Sequence, residues 1–305
     1  MERMWVLLPA LFLAGLLCGV VVAAPFRPAA VEVESIRLVG STTVLPIAKE
    51  CAEEFSKFCP HAKIVVEGGG SGRGFAELID GLCDIALASR GPKPEEIELA
   101  EERGVELFEH RIALDGIAVI VNPSVVEGLD EPLKLTLEEI GKIFAGVYTR
   151  WSEVKEGLPD EEIRVFTREP GSGTRKTFEE FCLEPFGLEV KPGAMEAKGN
   201  PVMRTRVEET DYSIGYVGLG FVFGEVEVVH VAKEKGELYV EPTKENVREG
   251  VYPLSRYLYM FTAGEPEEGS LIDRFIDFVR SPTGQVIVEE AGFVALYPVV
   301  VEEEG

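Results

Sequence analysis

The chain has 305 residues, long enough for two domains or one large one, and an apolar fraction of 46% that supplies a sizeable core. Its 54 acidic against 30 basic residues give a formal net charge of −24, which excludes nucleic acid as a partner, since that backbone demands a basic face. The same charge does not exclude a small anion. Surface charge is screened over roughly 8–10 Å at physiological salt, whereas a dry pocket of N–H donors and an arginine acts at contact. The bulk acidity keeps the protein soluble and monomeric.

In chain order, Met1-Glu2-Arg3 is a short charged start and Trp5 to Ala24 is almost entirely apolar, ending in Val22-Ala23-Ala24. Residues 1–24 read as a secretory signal peptide. An uncleaved membrane anchor is the alternative, since about 20 apolar residues can span a bilayer. Cys18 invites a lipoprotein reading, but Leu17 before it is larger than such sites usually carry. Either way the remainder lies outside the cytoplasm. Cys51, Cys59, Cys83 and Cys182 have no C-x-x-C spacing and no histidine at zinc intervals, so no metal site is expected. In an oxidising compartment Cys51 and Cys83 either pair or stay as buried thiols.

Ile36–Val39 reads as a strand and Pro46–Phe58 as a helix, with Pro46 suited to its first turn. Lys63–Glu67 is a strand, Phe75–Asp80 a helix, Asp84–Ala88 a short buried strand and Pro94–Arg103 a polar helix. Ile112–Val121 is a long β-rich run. Strands at Ile163–Thr167, Ile214–Val217 and Leu254–Phe261 alternate with helices at Leu137–Phe144, Thr174–Cys182, Val202–Glu209 and Ser270–Arg280. Strands alternating with helices mean an α/β fold with largely parallel sheets and a ligand at the strand C-termini.

Three glycine/serine turns follow apolar runs and open helices: Gly40-Ser41-Thr42-Thr43, Gly68 to Gly74, and Gly171-Ser172-Gly173-Thr174. A helix N-terminus has unpaired N–H groups and partial positive charge, so converging turns suit a small oxyanion. Ordinary capping explains the first turn equally well. The second matches neither a dinucleotide fingerprint nor a Walker loop, and Ser71 there either caps or binds. The third carries Arg168 at the end of a strand, a planar fork suited to a tetrahedral oxyanion. Asp84, at the head of an apolar strand, needs a partner. A salt bridge to Arg90 is one reading. The other is a protonated anion: a carboxylate accepts a hydrogen bond from monohydrogen phosphate but repels sulfate. Phe144, Tyr148, Trp151 and Tyr216 read as core.

These segments resemble, in order, the substrate-binding proteins of phosphate ABC importers in the type II periplasmic-binding-protein family. The match runs through Gly40 to Ile47, Gly68 to Gly74, Asp84-Ile85-Ala86 with Ser89-Arg90, Ile143 to Gly146 with Trp151, Arg168 with Gly171 to Thr174, and Gly199-Asn200 with Ile214 to Val217. It spans about residues 35 to 297. The resemblance implies two lobes joined by hinge strands, 32–112 plus 258–305 and 113–257, with phosphate in the cleft between them. It implies contacts from Ser41, Thr42, Thr43, Ser71 and Asp84 on one side and Arg168, Ser172, Gly173 and Thr174 on the other. It also implies delivery of HPO4 2− to a membrane ABC permease by a monomer, with no cofactor and no catalysis. Pro170 stands where many relatives have an acidic residue, with Glu169 beside it, so the salt link that usually holds the arginine either passes to Glu169 or is lost. A phosphatase, a phosphate sensor or surface protein, and a receptor for sulfate, molybdate or tungstate are the competing functions. The phosphatase would want a metal cluster or an activated nucleophile, and His61, His110 and His230 have no ligand spacing.

Overall fold

The alternation Ile36-Arg37-Leu38-Val39 builds the first strand, β1 (Ser35–Gly40), with Ile36 and Leu38 buried. The computed structural model describes residues 33–299; the segment over 1–24, Cys18 and the acidic tail lie outside the described residues. α1 (Leu45–Phe58) carries Pro46 in its first turn as expected and buries Ile47, Ala48, Cys51 and Phe55 along one stripe. β2 (Lys63–Gly68), α2 (Ser71–Ile79), β3 (Ile85–Ala88), α3 (Pro94–Arg103) and β4 (Leu107–Val121) follow. Then come β5 (Lys134–Thr136), α4 (Leu137–Phe144), α5 (Trp151–Val154), β6 (Arg164–Arg168), α6 (Gly173–Cys182), β7 (Met195–Ala197), α7 (Gly199–Glu208) and β8 (Ser213–Gly218). β9 (Glu227–Val228), β10 (His230–Ala232), α8 (Lys244–Arg248), β11 (Ser255–Ala263), α9 (Leu271–Arg280) and α10 (Pro282–Glu290) complete the described chain.

The main sheet runs β2-β1-β3-β11-β4-β8-β6-β7, with β9 beside β4; β10 and β5 form a separate parallel pair. The expected parallel pairing holds at both ends: β1 with β2 and β3, and β6 with β7 and β8. It fails in the middle, where β11 is antiparallel to β3 and β4, and β4 is antiparallel to β8. The reason is that β4 is longer than the apolar run from Ile112 suggested. Its first part, Leu107–Gly116, pairs with β11, and its second, Ile117–Val121, pairs with β8. One strand therefore belongs to both halves of the sheet. The ladder slips between Leu258 and Tyr259, whose partners are Ala113 and Arg111, so Ile112 is an extra residue; such a bulge bends and twists a strand pair.

The β1, β3 and β6 strands all end where helix-opening turns begin, at Gly40, Ala88 and Arg168. Beneath β6 and β8 lies an aromatic layer: Phe178 stacks on Tyr216 at 4.0 Å with an interplanar angle of 6°, and Phe144 packs against both. Phe144, Trp151 and Tyr216 are buried in the core as expected, with Tyr148 half-buried against them. Cys51, Cys59, Cys83 and Cys182 carry free thiols, so the possible Cys51–Cys83 pairing does not form. Burial pushes the Cys51 and Cys83 thiols up to about 12, which leaves them inert. Among the described residues, no helix is long and apolar enough to cross a membrane.

Candidate functional site

Arg168 is the last residue of β6 and is 1% exposed, although it carries a full charge. Such a group needs compensation. Its Nε and Nη2 donate to the two oxygens of Glu169 at 3.0 Å each, Nη1 donates to Asn200 Oδ1 at 2.9 Å, and Nη2 donates to Thr42 Oγ1 at 3.2 Å. Glu169 therefore takes the salt link that Pro170 cannot make. Burial works to raise the Glu169 carboxyl, but the hydrogen bonds and charge of Arg168, with the Gly199 amide, hold it below the ordinary carboxylate range. Four named bonds use four of the five guanidinium N–H groups, leaving one on Nη1 uncommitted. The backbone of Arg168 is fixed from below, because its N–H donates to the Tyr216 hydroxyl at 3.2 Å. Burial pushes that phenol up to about 12, so it keeps its proton, and its oxygen lies within hydrogen-bond distance of Thr167 Oγ1 at 3.0 Å.

The hydroxyls expected from the sequence gather around this arginine. The Thr43 and Thr174 hydroxyl oxygens are 3.1 Å apart. Asn200 Nδ2 donates to Thr43 Oγ1 at 2.8 Å, and Arg256 Nη2 donates to Thr174 Oγ1 at 3.0 Å. Ser71 Oγ accepts from the Ser89 amide at 3.1 Å. Ser41 and Ser172 do capping work: Ser41 Oγ accepts from the Thr43 and Val44 amides, and Ser172 Oγ accepts from the Arg175 amide. Two glycines make the approach possible. A Cβ on Gly70, whose φ is +91°, would sit 2.7 Å from the Gly171 carbonyl oxygen, and one on Gly173 would sit 2.3 Å from Ser71 Oγ. The glycine turns that open α2 and α6 thus touch, and the Gly72 amide donates to the Gly171 carbonyl at 3.1 Å.

A second ion pair supports the cluster and was not anticipated. Asp115 lies mid-strand in β4 and is fully buried, and its Oδ2 accepts from Arg256 Nε and Nη2 at 2.9 and 2.7 Å. Its Oδ1 accepts from the Leu219 amide at 2.9 Å. Complete burial still pushes the Asp115 carboxyl up, against the pull of Arg256 and those amides. Arg256 Nη1 also donates to the Ser89 carbonyl at 3.1 Å. Asp115, Arg256, Asn200 and Ser89 come from β4, β11, α7 and the end of β3, so no local spacing links them. The one available signal was Asp115 itself, a lone charge inside the run Ile112 to Val121.

Asp84 is the expectation that the structure corrects. Its Oδ2 accepts from the Arg37 amide at 2.7 Å, and its own amide donates to the Arg37 carbonyl at 2.9 Å. It precedes β3, whereas the cluster forms after β3. At about 3.3 Å per residue the strand carries it roughly 16 Å from Ser89. A residue there cannot sense a proton on an anion beside Arg168. The alternative partner fails as well, because Arg90 pairs with Glu96 at 2.6 and 2.7 Å. The remaining eight residues, Ser41, Thr42, Thr43, Ser71, Arg168, Ser172, Gly173 and Thr174, are brought together. A surface hollow of about 550 Å³, lined by Glu179, Leu188 and Val190 among others, is a separate feature.

Residues 27–283 match the model of the PBP superfamily domain. The phosphate-binding protein PstS of Staphylococcus haemolyticus is 31% identical over 261 residues, covering 84% of this chain and 79% of that one. The chain belongs to this family of phosphate-binding proteins within the PBP superfamily. A family structure from Clostridium perfringens, described as a phosphate ABC transporter substrate-binding protein with bound phosphate, superposes with a TM-score of 0.72 at 31% identity. It covers 87% of this chain and 100% of its own. An ABC-type phosphate transport receptor from Vibrio cholerae gives a TM-score of 0.67 at 29% identity, covering 86% of this chain and all 100% of its own. The periplasmic-binding-protein-like α/β fold implied by the sequence motifs is therefore the fold observed.

Proposed function

We propose that the protein is an extracytoplasmic receptor that binds inorganic phosphate as HPO4 2− and delivers it to a membrane ABC permease. One observation carries the reading: a buried arginine with an N–H to spare, ringed by threonine hydroxyls and glycine turns at strand C-termini, in a chain of the phosphate-binding family. We assign Thr42, Thr43, Ser71, Arg168, Ser172, Gly173 and Thr174 as the groups that contact the anion, with Ser41 shaping the first turn. The lobes are taken as residues 32–112 plus 258–305 and 113–257, moving about the strands that run through both. Closure would exclude water and strengthen each hydrogen bond to the anion. We take the protein to act as a monomer and as a binding protein rather than a phosphatase.

Titration calorimetry of the purified protein with phosphate, sulfate and molybdate tests this. Saturable phosphate binding is expected. Arg168→Ala weakens it about tenfold to a hundredfold, for one charge-assisted hydrogen bond at roughly 1.5–3 kcal/mol. Heat with sulfate or molybdate but none with phosphate would overturn the assignment. Phosphate released from a generic ester by the purified protein, above a metal-stripped control, would overturn the non-enzymatic reading.

A further inference from the structure

Hydrogen positions in the cluster are dictated by groups that can only donate. Arg168 Nη1 and the Gly218 amide point at Asn200 Oδ1, at 2.9 and 3.3 Å. Neither can accept, so the oxygen of the Asn200 amide must face them and its NH2 must face Thr43. Thr43 Oγ1 therefore accepts from Asn200 at 2.8 Å. Arg256 likewise has only donors, so Thr174 Oγ1 must accept from it at 3.0 Å. The same holds for Thr42 Oγ1 under Arg168 Nη2 and for Ser71 Oγ under the Ser89 amide. Each hydroxyl has an acceptor site filled from behind, and each still owns a proton. The contact between Thr43 and Thr174 can consume only one of their two protons. Both nearby carboxylates are already held by arginines, Asp115 by Arg256 and Glu169 by Arg168.

We propose that Asn200 and Arg256 are positioning residues that fill an acceptor site of the Thr43 and Thr174 hydroxyls, so that the proton not spent on the contact between the two threonines faces the anion as a hydrogen-bond donor. The inference deepens the phosphate-receptor reading and rests on it. Such a site favours oxygens without protons. Affinity therefore follows the dianion and falls as phosphate becomes dihydrogen phosphate. Such donors do not by themselves discriminate against sulfate, and Asp84 lies too far from the cluster to do so.

Asn200→Asp reverses one hydroxyl while preserving its shape. The aspartate still accepts from Arg168 and Gly218, but its second oxygen can only accept, so the Thr43 proton must turn toward it. Thr43 then presents a lone pair, which suits a P–O–H group and not sulfate. The added negative charge acts equally on the two dianions, so their affinity ratio isolates the effect. In calorimetry with phosphate and sulfate between pH 5.5 and 8, Asn200→Asp should raise the phosphate-to-sulfate ratio about tenfold or more, the scale of one charged hydrogen bond. Its phosphate affinity should also shift toward lower pH than that of the unsubstituted protein. Thr43→Val should weaken both anions about tenfold with the pH profile unchanged. Combined with Asn200→Asp, it should abolish the change in ratio. Equal loss of both anions in Asn200→Asp, with an unshifted profile, would make Asn200 merely structural. Unchanged affinities in Thr43→Val would overturn the proposal without using the Asn200 variant. Absence of phosphate binding by the unsubstituted protein would overturn the receptor reading and this inference together, whereas binding without the split overturns the inference alone.

Discussion

Asp115→Asn isolates the cost of a buried charge at the centre of the fold. The change keeps side-chain shape and an oxygen for the Leu219 amide, but removes the negative charge opposite Arg256, whose side chain is only 5% exposed. Neutralising one partner of a buried ion pair costs about 3–5 kcal/mol, because the surviving charge is stranded away from water. The retained amide bond puts the expectation at the lower end, about 3 kcal/mol. For a domain of this size each kcal/mol lowers the melting temperature by roughly 2–4 °C, giving a drop of about 6–12 °C. Differential scanning calorimetry at pH 7, with a guanidinium titration to check that the slope is unchanged, measures it. Asp115→Asn combined with Arg256→Met should recover part of the loss, since an apolar pair strands no charge. A melting temperature within about 2 °C of the parent, or a double variant less stable than the single one, would refute the reasoning.

Two other outcomes follow from the site. Glu169 has a folded pKa below its unfolded value of about 4.3, so its ion pair contributes stability above that pH and loses it as pH falls through the folded value; Glu169→Gln should cost about 1.5–3 kcal/mol at pH 7, and thermal melts from neutral to acid pH should show the gap to the parent closing only once the pH has fallen below the ordinary carboxylate range. Asp84→Asn should leave phosphate affinity and the phosphate-to-sulfate ratio within about twofold of the parent in calorimetry, as befits a residue roughly 16 Å from the cluster, and a tenfold change in that ratio would contradict its placement.

The local parts of the site were legible because they are written in short stretches of chain. Gly40 to Thr43, Gly68 to Gly74 and Arg168 with Gly171 to Thr174 each pair a strand end with a helix start, and all three meet. The start of α2 was less clear, since Gly72 and Gly74 have poor helix propensity and masked its first turn. Asp84 misled because it was judged by residue type without regard to strand direction. The apolar run follows it, so it stands at the N-terminal end of the strand, opposite to where ligands gather in such sheets. Asp115 has apolar residues on both sides along the strand, and that distinguishes a buried charge from one at a strand's edge. Its partner Arg256 lies 141 residues away, and Asn200 reaches Thr43 across 157. Only folding brings such pairs together.

The path of the chain also constrains when the core around α1 and α9 can form. Phe55 in α1 packs edge-on against Phe275 in α9, with ring centres 5.5 Å apart. These partners are separated by 275 − 55 = 220 positions, and at roughly 5–20 residues per second a ribosome needs about 11–44 s to make the stretch between them. Until then α1 has no α9 to cover it, and β3 has no β11 beside it. The packing of α1 on α9 is therefore completed only late in synthesis.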